Sequence, residues 1–287
     1  AAVAGIFAAK GRPPDHPLIV HVVDWIAAQR FAIDLNIHAQ RLIASFWPGP
    51  VTLIVPRKPG IATAAAGGQP TIGLRCPAHP VAQALLQRAA ALGVPGIAAP
   101  SANRFGRVSP TQAAHVLAEF GEAMPVLDGG DCALGIESSI IDCSRELPVL
   151  LRPGVLTRAQ IEATLGEPLQ DRDAAAPRAS GDMASHYAPR ARVRLFDAAS
   201  LRAALHAAET SAGGLAVYSR TCPEGSAGAG SARWRQLPDE PATAARELFA
   251  LLREWDAAGV REIWIEQPPD AAEWEGVRDR LRRAAAA

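Results

Sequence analysis

Short apolar runs alternate with longer amphipathic stretches along the chain, the pattern of strands and helices taken in turn. Apolar runs at 18–22, 51–55, 71–75, 97–99, 126–128 and 149–154, with a mixed run at 136–142, predict strands. Helical spacing predicts helices at 1–9, 25–46, 80–92 and 157–166, the last opened by Thr157 and Gln160 at capping-box spacing. Ser109 or Thr111 is placed to cap a further helix. From 167 to 191 the pattern lapses into Pro, Ala and charge, which predicts a linker. Beyond it, strands at 193–196, 215–218, 234–237 and 263–265 alternate with helices at 201–208, 241–259 and 274–285, with a Gly/Ser loop at 225–231. That alternation predicts a second, smaller Rossmann-like α/β unit. It lacks the G-x-G-x-x-G fingerprint and is not read as dinucleotide-binding.

The polar positions that interrupt these runs carry the candidate chemistry. Strand 97–99 runs into Pro100-Ser101-Ala102-Asn103, a hydroxyl and a carboxamide at a strand's carboxyl end, where open α/β sheets bind ligands. Lys10 and Arg12 stand one residue apart on a Gly/Pro-stiffened loop. A compact point charge beside a planar fork suits a polyphosphate; a solvated basic loop is the alternative. His21 breaks an apolar strand, as a core residue or as a pocket wall. Arg75 closes strand 71–75, and the small-residue loop 59–70 is open enough to move. Within the linker, His186-Tyr187-Ala188-Pro189 follows Ser180-Gly181-Asp182-Met183-Ala184-Ser185. Pro189 restricts Ala188 to extended backbone, so this strip is expected to lie as a lid, Tyr187 over a nucleotide and His186 at a phosphate. The alternative has Tyr187 packed against the second domain.

Composition narrows these readings. The 287 residues suffice for two cores, and 49% hydrophobic with 20% charged residues is the make-up of an ordinary globular protein. The formal net charge is zero, so no global field draws the chain to nucleic acid or to an anionic membrane. A non-catalytic nucleotide- or RNA-binding module, with double-stranded RNA as partner, is therefore the weaker alternative, because a double helix asks for a broad basic stripe. The four cysteines show neither C-x-x-C spacing nor a histidine cluster, which argues against a zinc site or a disulfide framework and suits a reducing cytoplasm. No apolar run is long enough to span a bilayer, so no membrane partner is expected. Of the 29 basic residues all but Lys10 and Lys58 are arginine, which singles out Lys10, since Lys58 sits in a turn.

Lys10-Gly11-Arg12 with Pro17-Leu18-Ile19-Val20-His21-Val22, Trp47-Pro48-Gly49-Pro50-Val51-Thr52, Arg75-Cys76-Pro77, Pro100-Ser101-Ala102-Asn103, Glu137-Ser138-Ser139 and Leu151-Arg152-Pro153-Gly154 occur in that order. The series resembles the threonylcarbamoyl-AMP synthase family in its two-domain form. The resemblance implies a YrdC-like catalytic domain with a twisted, open mixed sheet at 1–166, a linker or lid at 167–191, and the Rossmann-like domain at 192–287. It implies nucleotidyl transfer: L-threonine and bicarbonate give a carbamate whose oxygen attacks the α-phosphate of ATP, releasing pyrophosphate, with Mg²⁺ between phosphate oxygens. Downstream, a separate transferase would place the product on tRNA.

By the same resemblance Lys10 and Arg12 are catalytic, and Arg12, His16, Thr71, Asn103, Thr111, Arg152, His186 and Tyr187 contact ATP. His21, Arg75, Ser101 and Ser138 contact L-threonine. Three departures accompany the match. The family's N-terminal strand and Pro-Thr-Glu-Thr-like segment are absent from the sequence as written. His16 stands where asparagine is usual, and Gly181-Asp182 replaces a usual Pro-Gly. A hydrogenase-maturation carbamoyltransferase shares the YrdC-like domain but carries further domains not seen here.

Overall fold

A computed structural model of the chain describes residues 1–181, 183, 186–208, 214–225 and 232–286. Positions 226–231 of the expected Gly/Ser loop, and Asp182, Ala184 and Ser185 of the expected lid, lie outside the described residues. The chain divides into two compact units, Ala1–Phe105 with Glu137–Asp182, and Gly106–Ile136 with Met183–Ala287. The stretch 106–136 thus groups with the C-terminal unit, although its sequence lies within the first 166 residues.

The elements in chain order begin with α1 (Ala2–Lys10), β1 (Ile19–His21), α2 (Trp25–Ala28), α3 (Ile37–Phe46), β2 (Val51–Pro56), β3 (Thr71–Arg75), α4 (Pro80–Ala91) and β4 (Ile97–Ala98). They continue with α5 (Ala113–Phe120) of the second unit, then β5 (Ser139–Asp142), β6 (Val149–Arg152), α6 (Arg158–Leu165) and β7 (Gln170–Asp171) of the first. The first unit's sheet runs β4-β1-β3-β2-β5-β6-β7. It is mixed: β1/β3, β2/β5 and β6/β7 are parallel, whereas β1/β4, β2/β3 and β5/β6 are antiparallel. The alternation of side chains along each strand divides the sheet into two faces. Val20, Leu53, Val55, Ile72 and Leu74 meet Ala28, Leu42, Ile161 and Leu165 in the main core. Ile54, Ile140, Val149 and Leu151 lie in a smaller cluster with Ala179, joined by Ile19 and Ala176.

Several expectations are corrected. The helix expected at 25–46 is two helices, because two capping residues compete inside it. Asp24 accepts the Ala27 N–H at 2.7 Å and Asn36 accepts the Ala39 N–H at 3.0 Å, while the link between them pairs through Ile33 N–H to the Pro56 carbonyl. No strand forms at 126–128, where Leu127 is exposed. Neither Ser109 nor Thr111 caps α5: Gln112 holds the N-cap position, and the Thr111 N–H goes to His115 Nδ1 at 3.2 Å. Loop 59–70 is tied down by Arg57, which donates to the Gln69 and Ile61 carbonyls, both at 2.9 Å. The linker is not structureless either. Its β7 pairs with β6, and Ala176 and Ala179 pack on the second sheet face. The capping box of α6 forms as read, with Thr157 and Gln160 bonded reciprocally.

The second unit contains β8 (Arg192–Phe196), α7 (Ala198–Ala207), β9 (Leu215–Ser219), β10 (Arg233–Gln236), α8 (Pro241–Ala257), β11 (Glu262–Glu266) and α9 (Glu275–Ala285). Its strands form a wholly parallel sheet in the order β10-β9-β11-β8, as alternating strands and helices require. No helix among the described residues is long and apolar enough to cross a membrane.

Candidate active site

Polar residues concentrate on the sheet face opposite the main core. Along β3, Ile72 and Leu74 enter that core, so Thr71, Gly73 and Arg75 turn the other way; Ile19 and His21 do the same on β1, and Thr52 on β2. Gly73 keeps the middle of this floor flat: a Cβ there would meet Ile54 Cδ1 at 3.2 Å and Ile19 Cγ1 at 3.6 Å. Thr52 Oγ1 and Ser138 Oγ share a hydrogen bond of 2.7 Å, both fully buried. Thr52 was not singled out from sequence; the signal was a threonine alternating with apolar residues in an otherwise buried strand.

Two groups of predicted residues flank the floor. At the amino ends of β1 and β3, Lys10 Nζ donates to the Ser101 carbonyl at 2.5 Å and also to the Asn103 carbonyl. Arg12 donates to the Pro17 carbonyl at 2.8 Å, and its guanidinium lies 5.4 Å from the Phe105 ring centroid. His16 meets the same ring edge-on at 5.2 Å. With Lys10 6% and Arg12 7% exposed, this is not a solvated basic loop. The two cations are built into it: Lys10 holds the backbone that presents Ser101 and Asn103, and Arg12 holds the backbone at His16 and Pro17. Because β4 runs antiparallel to β1, its carboxyl end lies beside Ile19, away from the carboxyl ends of β1 and β3. The strand-end rule for parallel sheets therefore does not bring Ser101 and Asn103 beside Arg75.

At those other ends, His21 and Arg75 are register partners on neighbouring parallel strands. Burial, then the Arg75 cation, pushes the His21 imidazole down to about 4, so it is neutral at pH 7. Burial, then Arg152, pushes the Arg75 guanidinium down to about 10, against smaller opposing effects of Cys76 and Glu137. Arg75 donates to the Gly49 carbonyl at 3.0 Å. Arg152, 3% exposed, donates to the Ser138 carbonyl at 2.9 and 3.1 Å, to Ser138 Oγ at 3.3 Å and to the Ser180 carbonyl at 3.0 Å. Among the described residues neither guanidinium has a carboxylate within ion-pair distance. Positive charge is thus concentrated locally at this end of the floor in a chain of zero net charge.

Thr111, His186 and Tyr187 belong to the second unit. Thr111 is buried and its hydroxyl lies 3.4 Å from His115 Nδ1. The Tyr187 ring, expected over a nucleotide, is instead fully buried and stacked on Phe249, with centroids 5.1 Å apart and planes at 27°. Arg280 lies over it at 5.4 Å, and the His186 N–H donates to the Arg283 carbonyl. Aromatic burial thus holds this pair within the C-terminal unit, the alternative left open by the sequence. A cleft of about 640 Å³, lined by Trp25, Ile33, Asp34, Leu35, Ile43 and Lys58, shares no residue with the polar face and lies on its helical side.

Residues 1–154 match the Sua5_yciO_yrdC family model, described as telomere recombination, and residues 156–286 match that of the threonylcarbamoyl-AMP synthase C-terminal domain. The chain belongs to the threonylcarbamoyl-AMP synthase family. The threonylcarbamoyl-AMP synthase of Bacillus subtilis (strain 168) is 37% identical over 294 residues, spanning 99% of this chain and 83% of that protein. That of Pyrococcus abyssi (strain GE5 / Orsay) is 35% identical, spanning 99% and 84%. The crystal structure of P. abyssi Sua5 complexed with L-threonine matches with a TM-score of 0.85 and 32% identity, over 99% of this chain and 84% of that one. Membership in the synthase family agrees with the fold of both units and makes the chain an adenylate-forming enzyme of the nucleotidyltransferase type.

Proposed function

We propose that this chain joins L-threonine, bicarbonate and ATP into threonylcarbamoyl-AMP and pyrophosphate, and that the polar face of the first sheet carries the reaction. The observation that carries this reading is the buried guanidinium of Arg152 with the partly buried, desolvated Arg75, neither ion-paired to a carboxylate among the described residues of a chain whose relatives are such synthases. Arg75 offers its fork to the threonine carboxylate, with His21 and Ser138 on the amino-acid side, while Ser101, at the other end of the floor, has its threonine role from the resemblance alone. A neutral His21 can accept a hydrogen bond from the threonine ammonium or hydroxyl. Arg12, His16, Thr71, Asn103 and Arg152 serve the nucleotide, and Thr111 has its nucleotide role from the resemblance. Lys10 and Arg12 supply fixed positive charge as the carbamate oxygen attacks the α-phosphate and pyrophosphate leaves, with little reorganisation because both are already anchored. His186 keeps its nucleotide role on the resemblance alone, and the packing of Tyr187 supports an anchor.

Among the described residues no group of three or more His, Cys, Asp or Glu side chains could hold a metal ion. Mg²⁺ therefore fits as a companion of the triphosphate, without a protein cage, and no step is assigned to it. Transfer of the product to tRNA by a separate protein in the cytoplasm completes the reading. The test is pyrophosphate release: it should require threonine and bicarbonate together with ATP. Release that ignores either one leaves a nucleotide-binding module in its place.

A further inference from the structure

The family model for the catalytic domain covers 1–154, yet its stretch 106–136 packs with the C-terminal unit. What holds it there is one stripe of α8. Ala245, Arg253 and Asp256 recur at helical spacing and fall on one face. Gly135, at φ +73, lies against the helix backbone at Ala245 and Arg246, where a Cβ would come within 2.3 Å of the Ala245 carbonyl oxygen. Arg253 donates to the Val108 carbonyl, to the Ser109 carbonyl at 3.3 Å and to Glu119 of α5 at 3.1 Å. Asp256 accepts from Arg107 at 3.4 Å and from the Arg190 N–H at 2.6 Å, tying the start of the stretch to the end of the linker. Downstream, Thr111 is held by His115 Nδ1 and by the Cys132 N–H on its carbonyl at 2.9 Å. Desolvation, then the Arg253 cation, lowers the pKa of His115, which keeps Nδ1 available as the acceptor that Thr111 uses.

We infer that Arg253, seconded by Asp256, is a positioning residue for ATP: from the C-terminal domain it sets the backbone of 107–111 and so the place of Thr111. This rests on the nucleotide role given to Thr111 above. It assigns the C-terminal domain a part in substrate affinity rather than in stability alone. Arg253 touches no substrate; it acts through two carbonyls and α5.

The experiment compares the wild type with Arg253→Ala, Arg253→Lys and Asp256→Asn, and with Glu254→Gln as a control. Glu254 lies on the same helix but is exposed and paired with Arg235 at 3.2 Å. Steady-state pyrophosphate release gives KM for ATP, KM for threonine and kcat. Calorimetric titration with a non-hydrolysable ATP analogue reads binding without turnover, and thermal melts read the fold. Arg253→Ala should raise the ATP KM and the analogue Kd by about 10–100-fold, the scale of a small misplacement from afar. Threonine KM should stay within about threefold, Arg253→Lys should recover part of the loss, Asp256→Asn should act in the same direction, and the control should do nothing. Nucleotide affinity within about twofold of wild type in both Arg253→Ala and Asp256→Asn overturns the inference, whatever the melts show. If Arg253→Ala does not fold, Asp256→Asn decides alone. A wild type that binds the analogue without turnover leaves the titration to decide; one that binds no nucleotide overturns the functional reading and this inference with it.

Discussion

The two sheets solve the same problem in opposite ways. Each gathers donors at one end or face of its strands. In the C-terminal unit, β9 and β11 are adjacent parallel strands whose carboxyl ends carry Ser219 and Glu266. Glu266, 3% exposed, accepts from Ser219 Oγ at 2.5 Å, from the N–H groups of Arg220 and Thr221 at 2.9 and 2.8 Å, and from Thr221 Oγ1 at 3.1 Å. Successive N–H groups of this kind form an anion-binding concavity. Here the protein's own carboxylate fills it. Burial opposes the charge, but the hydrogen bonds from Ser219, Thr221 and Arg220 outweigh it and hold the carboxyl below its usual range. In the first unit Arg75 feels the charge of Arg152, and neither is ion-paired to a carboxylate among the described residues. One donor set is satisfied by a carboxylate from within; the other, among the described residues, is not, which is the difference the proposed function uses.

The contrast predicts opposite outcomes when each site loses a member. The largest effect is expected from Arg75→Ala. Threonine-dependent pyrophosphate release should fall about 10²–10³-fold, the cost of deleting a donor aimed at reacting charge. The melting temperature should not fall, because the folded environment disfavours the Arg75 charge and its removal relieves Arg152. A variant that melts well below wild type would place Arg75 among structural residues and erase the distinction.

Next in size is Glu266→Ala. It removes the acceptor of four hydrogen bonds, one of them from the buried Ser219, so unfolding free energy should drop by about 1–3 kcal/mol in denaturant titrations. Turnover per folded molecule should hold. Sulfate should restore more stability to this variant than to wild type, since the emptied concavity can take an external anion. Equal sulfate responses in the two proteins would mean that the loop collapses once its carboxylate is gone.

Much of this was legible in the sequence, for reasons that differ between the regions. Strands such as 71–75 and 263–265 were readable because their apolar alternation or burial is local. Arg75, Arg152 and Ser138 were placed by motifs quoted together, and the structure brings them to one side of the floor. The break between α2 and α3 was hidden because Asp24 and Asn36 look like ordinary polar positions in a helical pattern, and only the pairing of Ile33 with Pro56 settles the conformation of the link. Glu266 gave no signal at all: its partners are two backbone N–H groups and two hydroxyls forty-odd residues earlier. The grouping of 106–136 with α8 was equally silent, because it depends on carbonyls and on the missing Cβ of Gly135. Sequence patterns report side-chain periodicity well, and they do not report which backbone groups a side chain will serve.

The smallest predicted effect concerns His21, the register partner of Arg75 on the first unit's sheet. Its folded pKa, about 4, lies below the ordinary histidine value because burial and then the Arg75 cation disfavour a second positive charge. The unfolded chain therefore binds a proton that the folded chain refuses between those two values. The stability attached to a neutral His21 is complete above about pH 6.5 and is lost as pH falls through about 4. With the ring only half-buried by surface area, the loss should amount to about 1–2 kcal/mol, because water screens part of the repulsion. Denaturant titrations between pH 7 and 4 should show it in wild type and show a flatter profile in His21→Gln, which cannot take up the proton. In Arg75→Ala the slope should lessen as well, though less than in His21→Gln, since burial is the first cause and Arg75 the second. A profile unchanged in both variants would remove the electrostatic link between these register partners, and with it the argument that this face is strained by its own positive charge until an anion arrives.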